Sequence, residues 1–161
     1  MGQGNPNGDS ENMSRNYTIS GARAVSSPTK TLLTLIGGTT NRPVLYDMIL
    51  GSTATPADNA LEFILQRCTA AGTSTAITPA PADTADPAAI ATAGVNHTVE
   101  PTYTAGAILV DIAMNQRATQ RWVPSPGREI KLPATASNGV GLQPVHASFT
   151  GSVTASLFFE D

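Results

Sequence analysis

The stretch Gly151-Ser-Val-Thr-Ala-Ser-Leu-Phe-Phe-Glu-Asp161 decides the fold class of this chain. Its apolar positions recur at every second residue, at Val153, Ala155, Leu157 and Phe159. A period of two is the pattern of a β-strand that buries one face. Phe158 breaks the pattern, because it is an aromatic residue on the face that otherwise carries polar side chains. We therefore expect a core strand whose Phe158 is exposed to solvent in a monomer and covered by a neighbouring subunit in a trimer.

Similar short segments recur along the chain, separated by turns rich in Gly, Pro, Asn and Thr. The clearest are residues 31–36, 42–50, 61–68, 106–115 and 140–149. In residues 42–50 the alternation predicts one face made of Val44, Tyr46, Met48 and Leu50. Eight or nine strands are expected at intervals of 8–15 residues, without a convincing helical period over ten residues. The expected fold class is all-β, an antiparallel β-sandwich of the jelly-roll type.

The domain organisation expected is one domain with two additions. Residues 1–14 are polar and rich in Gly and Asn, which predicts a flexible N-terminal arm. Residues 15–161 form a single β-sandwich domain, and within it residues 69–102 form a long Pro/Ala/Thr-rich loop. The sequence predicts a helical turn that begins at Asp86, because Asp caps helices and Pro87 suits the first helical position. The loop either wraps a neighbouring subunit or packs on its own sheet.

The composition narrows the classes of partner. Charged residues make up 13% of the 161 residues, about half the usual share of roughly 25%. Lys and Arg are absent between Arg67 and Arg117. A nucleic-acid or anionic-membrane surface needs clustered positive charge, so we expect neither partner. Few charges with much Thr, Ala, Ser and Gly favour surfaces that meet other protein surfaces.

The start of the sequence lacks the basic and apolar regions of a secretory signal, and no window approaches about 18 apolar residues. We therefore expect a soluble protein made in a reducing compartment.

The sequence contains no recognisable catalytic motif. Cys68 is the single cysteine and is interpreted as a small buried apolar residue. His97 and His146 stand alone, without further ligands at metal-binding spacing. Asp83 and Asp86 are interpreted as turn or capping residues. We expect no catalytic residue, no cofactor and no metal site, and therefore not an enzyme.

The segment Arg117-Ala-Thr-Gln-Arg-Trp122 contains the only tryptophan together with two arginines. Trp and Arg are favoured at the centres of protein interfaces, so Arg117, Arg121 and Trp122 are candidate interface residues, with Phe158 as a fourth. The alternative is a half-buried Trp122 flanked by solvated arginines.

A resemblance to small virion proteins of tailed bacteriophages covers about residues 92–159. The segments that carry it are Thr102-Tyr-Thr-Ala-Gly106, Met114-Asn-Gln-Arg-Ala-Thr119, Arg121-Trp122, Pro126-Gly127, Glu129-Ile130, Pro133-Ala-Thr-Ala136, Asn138-Gly139 and Phe149-Thr-Gly-Ser-Val153. The Pro- and Asp-rich stretch 78–94 also fits. The chain resembles capsid decoration, or cement, proteins most closely.

The resemblance implies a β-rich, often trimeric protein attached to the outer capsid lattice, with the major capsid protein as its partner. Its location would be the virion surface, after synthesis in the host cytoplasm. The arm and residues 69–102 would then contact adjacent subunits. Two alternatives remain open: another virion component, such as a tail, head-to-tail or fibre-associated protein, and a carbohydrate-binding jelly-roll module.

Overall fold

A computed structural model describes residues 15–25, 29–145, 149 and 151–161. The predicted arm, residues 1–14, and His146 lie outside the described residues. The strands are β1 (Asn16–Ala24), β2 (Leu33–Ile36), β3 (Val44–Thr53), β4 (Ala60–Ala70), β5 (Thr73–Ile77), β6 (Ala80–Pro81), β7 (Thr92–Val99), β8 (Thr102–Asn115), β9 (Gln120–Trp122), β10 (Ile130–Lys131), β11 (Gly139–Val145) and β12 (Ser152–Glu160). Within the described ranges there is no helix.

The strands form two antiparallel sheets. Sheet A has the order β10-β3-β12-β1-β6, with β9 also paired to β3, and sheet B has the order β5-β7-β2-β11-β4-β8. Strands from the first half of the chain pair in reverse order with strands from the second half. The pairs are β1 with β12, β2 with β11, β3 with β9 and β10, and β4 with β8. A long hairpin rolled into two sheets gives this nesting, which defines a jelly roll. The expected all-β sandwich is confirmed.

The core lies between the two sheets and is made by the alternate residues of their strands. In β12 the inward residues Val153, Ala155, Leu157 and Phe159 are all at most 2% exposed. The ring of Phe159 stacks on Tyr17 of β1 at a centroid distance of 5.7 Å. The period-two pattern at the end of the chain therefore identified a true core strand.

The prediction that one face of residues 42–50 is buried is correct for two of its four residues. Met48 and Leu50 are fully buried, but Val44 and Tyr46 are only partly buried, and Leu45 fills the core instead. The reason is a β-bulge: Phe158 pairs with Asp47 and the next residue, Phe159, pairs with Leu45. The extra residue reverses the alternation along the first part of β3.

Residues 69–102 are more regular than the predicted loop. They contain β5, β6 and β7, of which β5 and β7 extend sheet B beyond β2, while β6 extends sheet A beyond β1. The helical turn that was predicted to begin at Asp86 does not form. Instead, a turn ends there, with the Asp86 amide donating to the Asp83 carbonyl at 3.0 Å. The Asp83 side chain supports the turn by accepting from the Ala85 amide at 2.9 Å.

Candidate functional site

The outer face of sheet A holds two of the four predicted interface residues. Phe158 lies on this face because its neighbours Leu157 and Phe159 point into the core. Its pairing partner on β3 is Asp47, which binds the side chain of Arg121 from β9. The fold therefore brings Arg121 and Phe158 to either side of Asp47.

Arg121 and Asp47 form a two-pronged ion pair. The Nε atom of Arg121 donates to both carboxylate oxygens of Asp47, at 3.0 and 2.9 Å, and Nη2 donates to one of them. The carboxylate side chain is 8% exposed, whereas the arginine side chain is 64% exposed. Hydrogen bonding to Asp47, followed by its charge, raises the pKa of Arg121 further above its usual range. The pair thus holds an exposed cation in a fixed position.

Sequence reasoning did not single out Asp47. It is the only charged residue among Val44–Leu50, in a stretch that otherwise reads as a core strand. A charge in such a position is a signal for a specific partner, because buried carboxylates are paired. The partner, Arg121, lies 74 residues away, so the pairing itself requires the fold.

Side chains next to the ion pair are small, hydroxylated or apolar. One register row across sheet A runs through Ser20, Ser156, Ile49 and Arg121. The hydroxyls of Ser20 and Ser156 are hydrogen bonded at 2.8 Å, and Ile49 is 38% exposed. Within this row Arg121 is the one charged side chain, so the other three cost little to desolvate when another protein covers them.

The other two predicted residues lie elsewhere. Trp122 pairs with the buried Met48 and packs, partly buried, against the core. Arg117 lies in the turn after β8, where its Nε donates to the Pro56 carbonyl at 3.4 Å. The three residues are therefore separated: Arg121 lies on the outer face of sheet A, Trp122 packs against the core, and Arg117 lies in a loop. Trp122 is half-buried within its own chain, and its role at an interface stays a prediction.

The turn that contains Arg117 borders a shallow depression. Gln116 fixes this region: its side chain is 2% exposed, accepts from the Ala57 amide at 2.9 Å and donates to the Ala60 carbonyl at 3.3 Å. The depression has a volume of about 380 Å³ and is lined by Asp58, Asn59, Ala60, Ala113, Met114 and Asn115.

Cys68 and His97 are both buried inside the domain. Cys68 is 2% exposed, and burial raises the pKa of its thiol to about 11, so it is a buried apolar residue as predicted. His97 is fully buried, and its Nε2 lies 3.3 Å from Thr34 Oγ1. Among the described residues, no group of three or more His, Cys, Asp or Glu side chains is placed to hold a metal ion.

The Pro-rich part of residues 69–102 packs on its own domain. The Tyr17 hydroxyl donates to the Pro87 carbonyl at 2.9 Å, and the Asp161 side chain accepts from the amides of Ile90 and Ala91 at 2.6 and 2.8 Å. These contacts fit the second alternative for this segment, packing on its own sheet, and contact with a neighbouring subunit stays a prediction.

The chain has no match among protein-family models, curated protein sequences or solved structures. In the described part of the chain, no helix is long and apolar enough to cross a membrane.

Proposed function

We propose that this chain is a structural protein of a virion, a capsid decoration or cement protein that binds the outer capsid surface and stabilises the shell. In this proposal it is not an enzyme, its partner is the major capsid protein, and its copies associate as a homo-oligomer, with a trimer favoured. The observation that carries the proposal is the outer face of sheet A, where Arg121 is held by a buried carboxylate beside Phe158.

The physical support comes from the side chains on this face. Arg, Tyr and Trp are enriched where protein interfaces gain most of their binding free energy, and Phe is enriched in the buried cores of interfaces. Arg121 is already held by Asp47, so little side-chain entropy is lost when a partner contacts it. Ile49 is 38% exposed on the same face, and Val123, directly after β9, is 57% exposed. Together with Phe158 they supply apolar area around a fixed cation.

A symmetric shell adds a second source of strength. A decoration protein occupies many equivalent positions, and each oligomer can contact several capsid subunits at once. Modest affinity at one face is then sufficient for stable attachment. A sandwich whose outer face is poor in charge, with a rigid scaffold beneath it, suits this use.

Sedimentation with empty capsids assembled from the major capsid protein of the same source tests the proposal. Ile49→Glu places a charge on the outer face of sheet A, and Ile108→Glu is the matched control on edge strand β8 of sheet B, where Ile108 is 49% exposed. We expect the wild-type chain and the control to sediment with capsids and Ile49→Glu to stay in solution. Equal binding by both variants would exclude this face, and no binding by the wild-type chain would overturn the proposal.

A second candidate is the carbohydrate-binding jelly-roll module, favoured by one observation. The depression beside β4 and β8 is lined by Asp58, Asn59 and Asn115, and the Asn115 amide donates to the Asp58 carboxylate at 2.6 Å. Carboxylate and amide groups can bind sugar hydroxyls through paired hydrogen bonds. A glycan array probed with the wild-type chain and with Asn59→Ala separates the two functions, since decoration predicts no hit.

A further inference from the structure

The connection from β7 to β8 is short, although the two strands are not neighbours in sheet B. In sheet B these strands are separated by β2, β11 and β4, yet only Glu100 and Pro101 lie between them. That end of the sheet must therefore curl so that the connection crosses its outer side. Tyr103 shows the crossing directly, because a Cβ atom on Gly141 of β11 would lie 2.3 Å from its hydroxyl.

Polar contacts hold the connection against Thr31, two residues before β2. The Glu100 carboxylate accepts from the Thr31 amide at 3.0 and 3.2 Å and from the Thr31 hydroxyl. The Tyr103 hydroxyl lies 2.7 Å from Thr31 Oγ1. Thr31 is fully buried, so these bonds form away from solvent. A local opening of the connection would break these bonds together with the ladder pairings of Val99 with Thr73 and of Thr102 with Ala70.

His97 lies beneath these contacts, near the end of β7. It is 0% exposed, and one ring nitrogen, Nε2, is 3.3 Å from the hydroxyl of the buried Thr34. The other ring nitrogen, Nδ1, has no well-formed hydrogen bond to a described residue. The buried imidazole therefore has one neutral hydroxyl at Nε2, and the backbone groups of Thr31 and Ala71 also lie close enough to act on the ring.

Two charged groups act on this ring, Glu100 from the connection and Arg23 from β1. Burial lowers the pKa of His97, and this outweighs the opposite effect of the Glu100 carboxylate and of the backbone groups of Thr31 and Ala71. Arg23 acts in the same direction as burial, and its Nη1 donates to the His97 carbonyl at 3.0 Å. The Glu100 carboxylate is already engaged by Thr31.

We propose that His97 makes the β7–β8 connection pH-sensitive: in acid, a proton on the buried ring finds no anionic hydrogen-bond partner, and residues 97–103 open. The outer side of sheet B beneath the connection then becomes accessible. This inference does not rest on the proposed function.

Opening is favoured at low pH because the pKa of His97 is lower in the closed form than in the open form. An exposed histidine titrates near 6.5, so in the open form His97 gains a proton below that pH, whereas the closed form stays neutral to a lower pH. The closed form is favoured fully above pH 6.5 and loses its advantage as the pH falls. At pH 5.5 an exposed histidine is about ten parts protonated to one neutral, so opening rises by up to about tenfold.

Amide hydrogen exchange between pH 7.5 and 5.0, corrected for intrinsic rates, tests this in three proteins: the wild-type chain, His97→Gln and His146→Gln. We expect protection of residues 97–103 to fall up to about tenfold by pH 5.5 in the wild-type chain and in His146→Gln, and to stay constant in His97→Gln. The same fall in His97→Gln, or constant protection in the wild-type chain, would overturn the proposal.

A second measurement keeps the inference testable if His97→Gln does not fold. His146→Gln leaves one histidine, whose ring signals can be followed by NMR as the pH is lowered. A titration midpoint below 6.5 supports the proposal, and a midpoint at or above 6.5 contradicts it.

Discussion

Asp47 and Arg121 form an ion pair in which the acid is buried and the base faces solvent. The carboxylate side chain is 8% exposed, and the arginine side chain that covers it is 64% exposed. A carboxylate in such a position costs free energy unless it is paired, so Arg121 is tied to the fold as well as to the surface. This links the stability of the domain to the face through which we propose that it binds.

Arg121→Ala should lower the free energy of unfolding, because it leaves the Asp47 carboxylate buried without a partner. Asp47→Asn introduced into Arg121→Ala should recover part of the loss, since a neutral amide is less costly to bury. Urea unfolding of the wild-type chain, both single variants and the double variant gives the coupling. Additive effects of the two substitutions would show that the pair contributes nothing specific.

Leu157→Ala should destabilise the domain by about 2–5 kcal/mol, because a fully buried side chain of β12 is replaced by a cavity. Thr154→Ala, on the outer face of the same strand, is the matched control and should change stability by less than about 1 kcal/mol. Denaturant unfolding measures both. A small loss for Leu157→Ala would mean that β12 is not a core strand.

Gly141→Ala should cost about 1–3 kcal/mol, because the added Cβ would lie 2.3 Å from the Tyr103 hydroxyl and 2.9 Å from two atoms of its ring. Gly51→Ala is the control in another strand, where the nearest atoms are 3.6 and 3.8 Å away. Thermal unfolding should separate the two variants clearly. Equal melting temperatures would argue against the position of Tyr103 over β11.

The Cys68 thiol should be unreactive in the folded protein. Burial raises its pKa to about 11, and the reactive thiolate is therefore a very small fraction at pH 8. Labelling with an aromatic disulfide reagent should be slow under native conditions and rapid in denaturant. Rapid native labelling would show that the end of β4 opens readily.

The strand pattern of the core could be read from the sequence where the inward residues are large. In β4, Leu61, Phe63 and Leu65 are inward and at most 1% exposed, as in β12. Strand β7 was missed because only Ala93 and Val95 face the core, and Ala93 carries little hydrophobic signal.

The bulge in β3 could not be predicted, since it depends on the register with β12, a strand more than 100 residues later. The same bulge sets the faces of Tyr46 and Asp47.

The candidate site could be predicted only in part, because its residues come together through pairing between distant strands. Arg121 and Phe158 stood out by residue type, but their proximity arises because β3 lies between β9 and β12. Nothing local connects either of them with Asp47. Trp122 could not be assigned to the core or to the surface without the pairing of Trp122 with Met48.

Electron cryomicroscopy of empty capsids incubated with the purified chain tests the central claim most directly. We expect added density on the outer lattice, with the outer face of sheet A, including Arg121 and Phe158, covered by capsid or by a neighbouring copy. Capsids without added density, or density at a tail or neck, would contradict the decoration function. Density in which the outer face of sheet A is fully exposed to solvent would contradict the proposed binding surface.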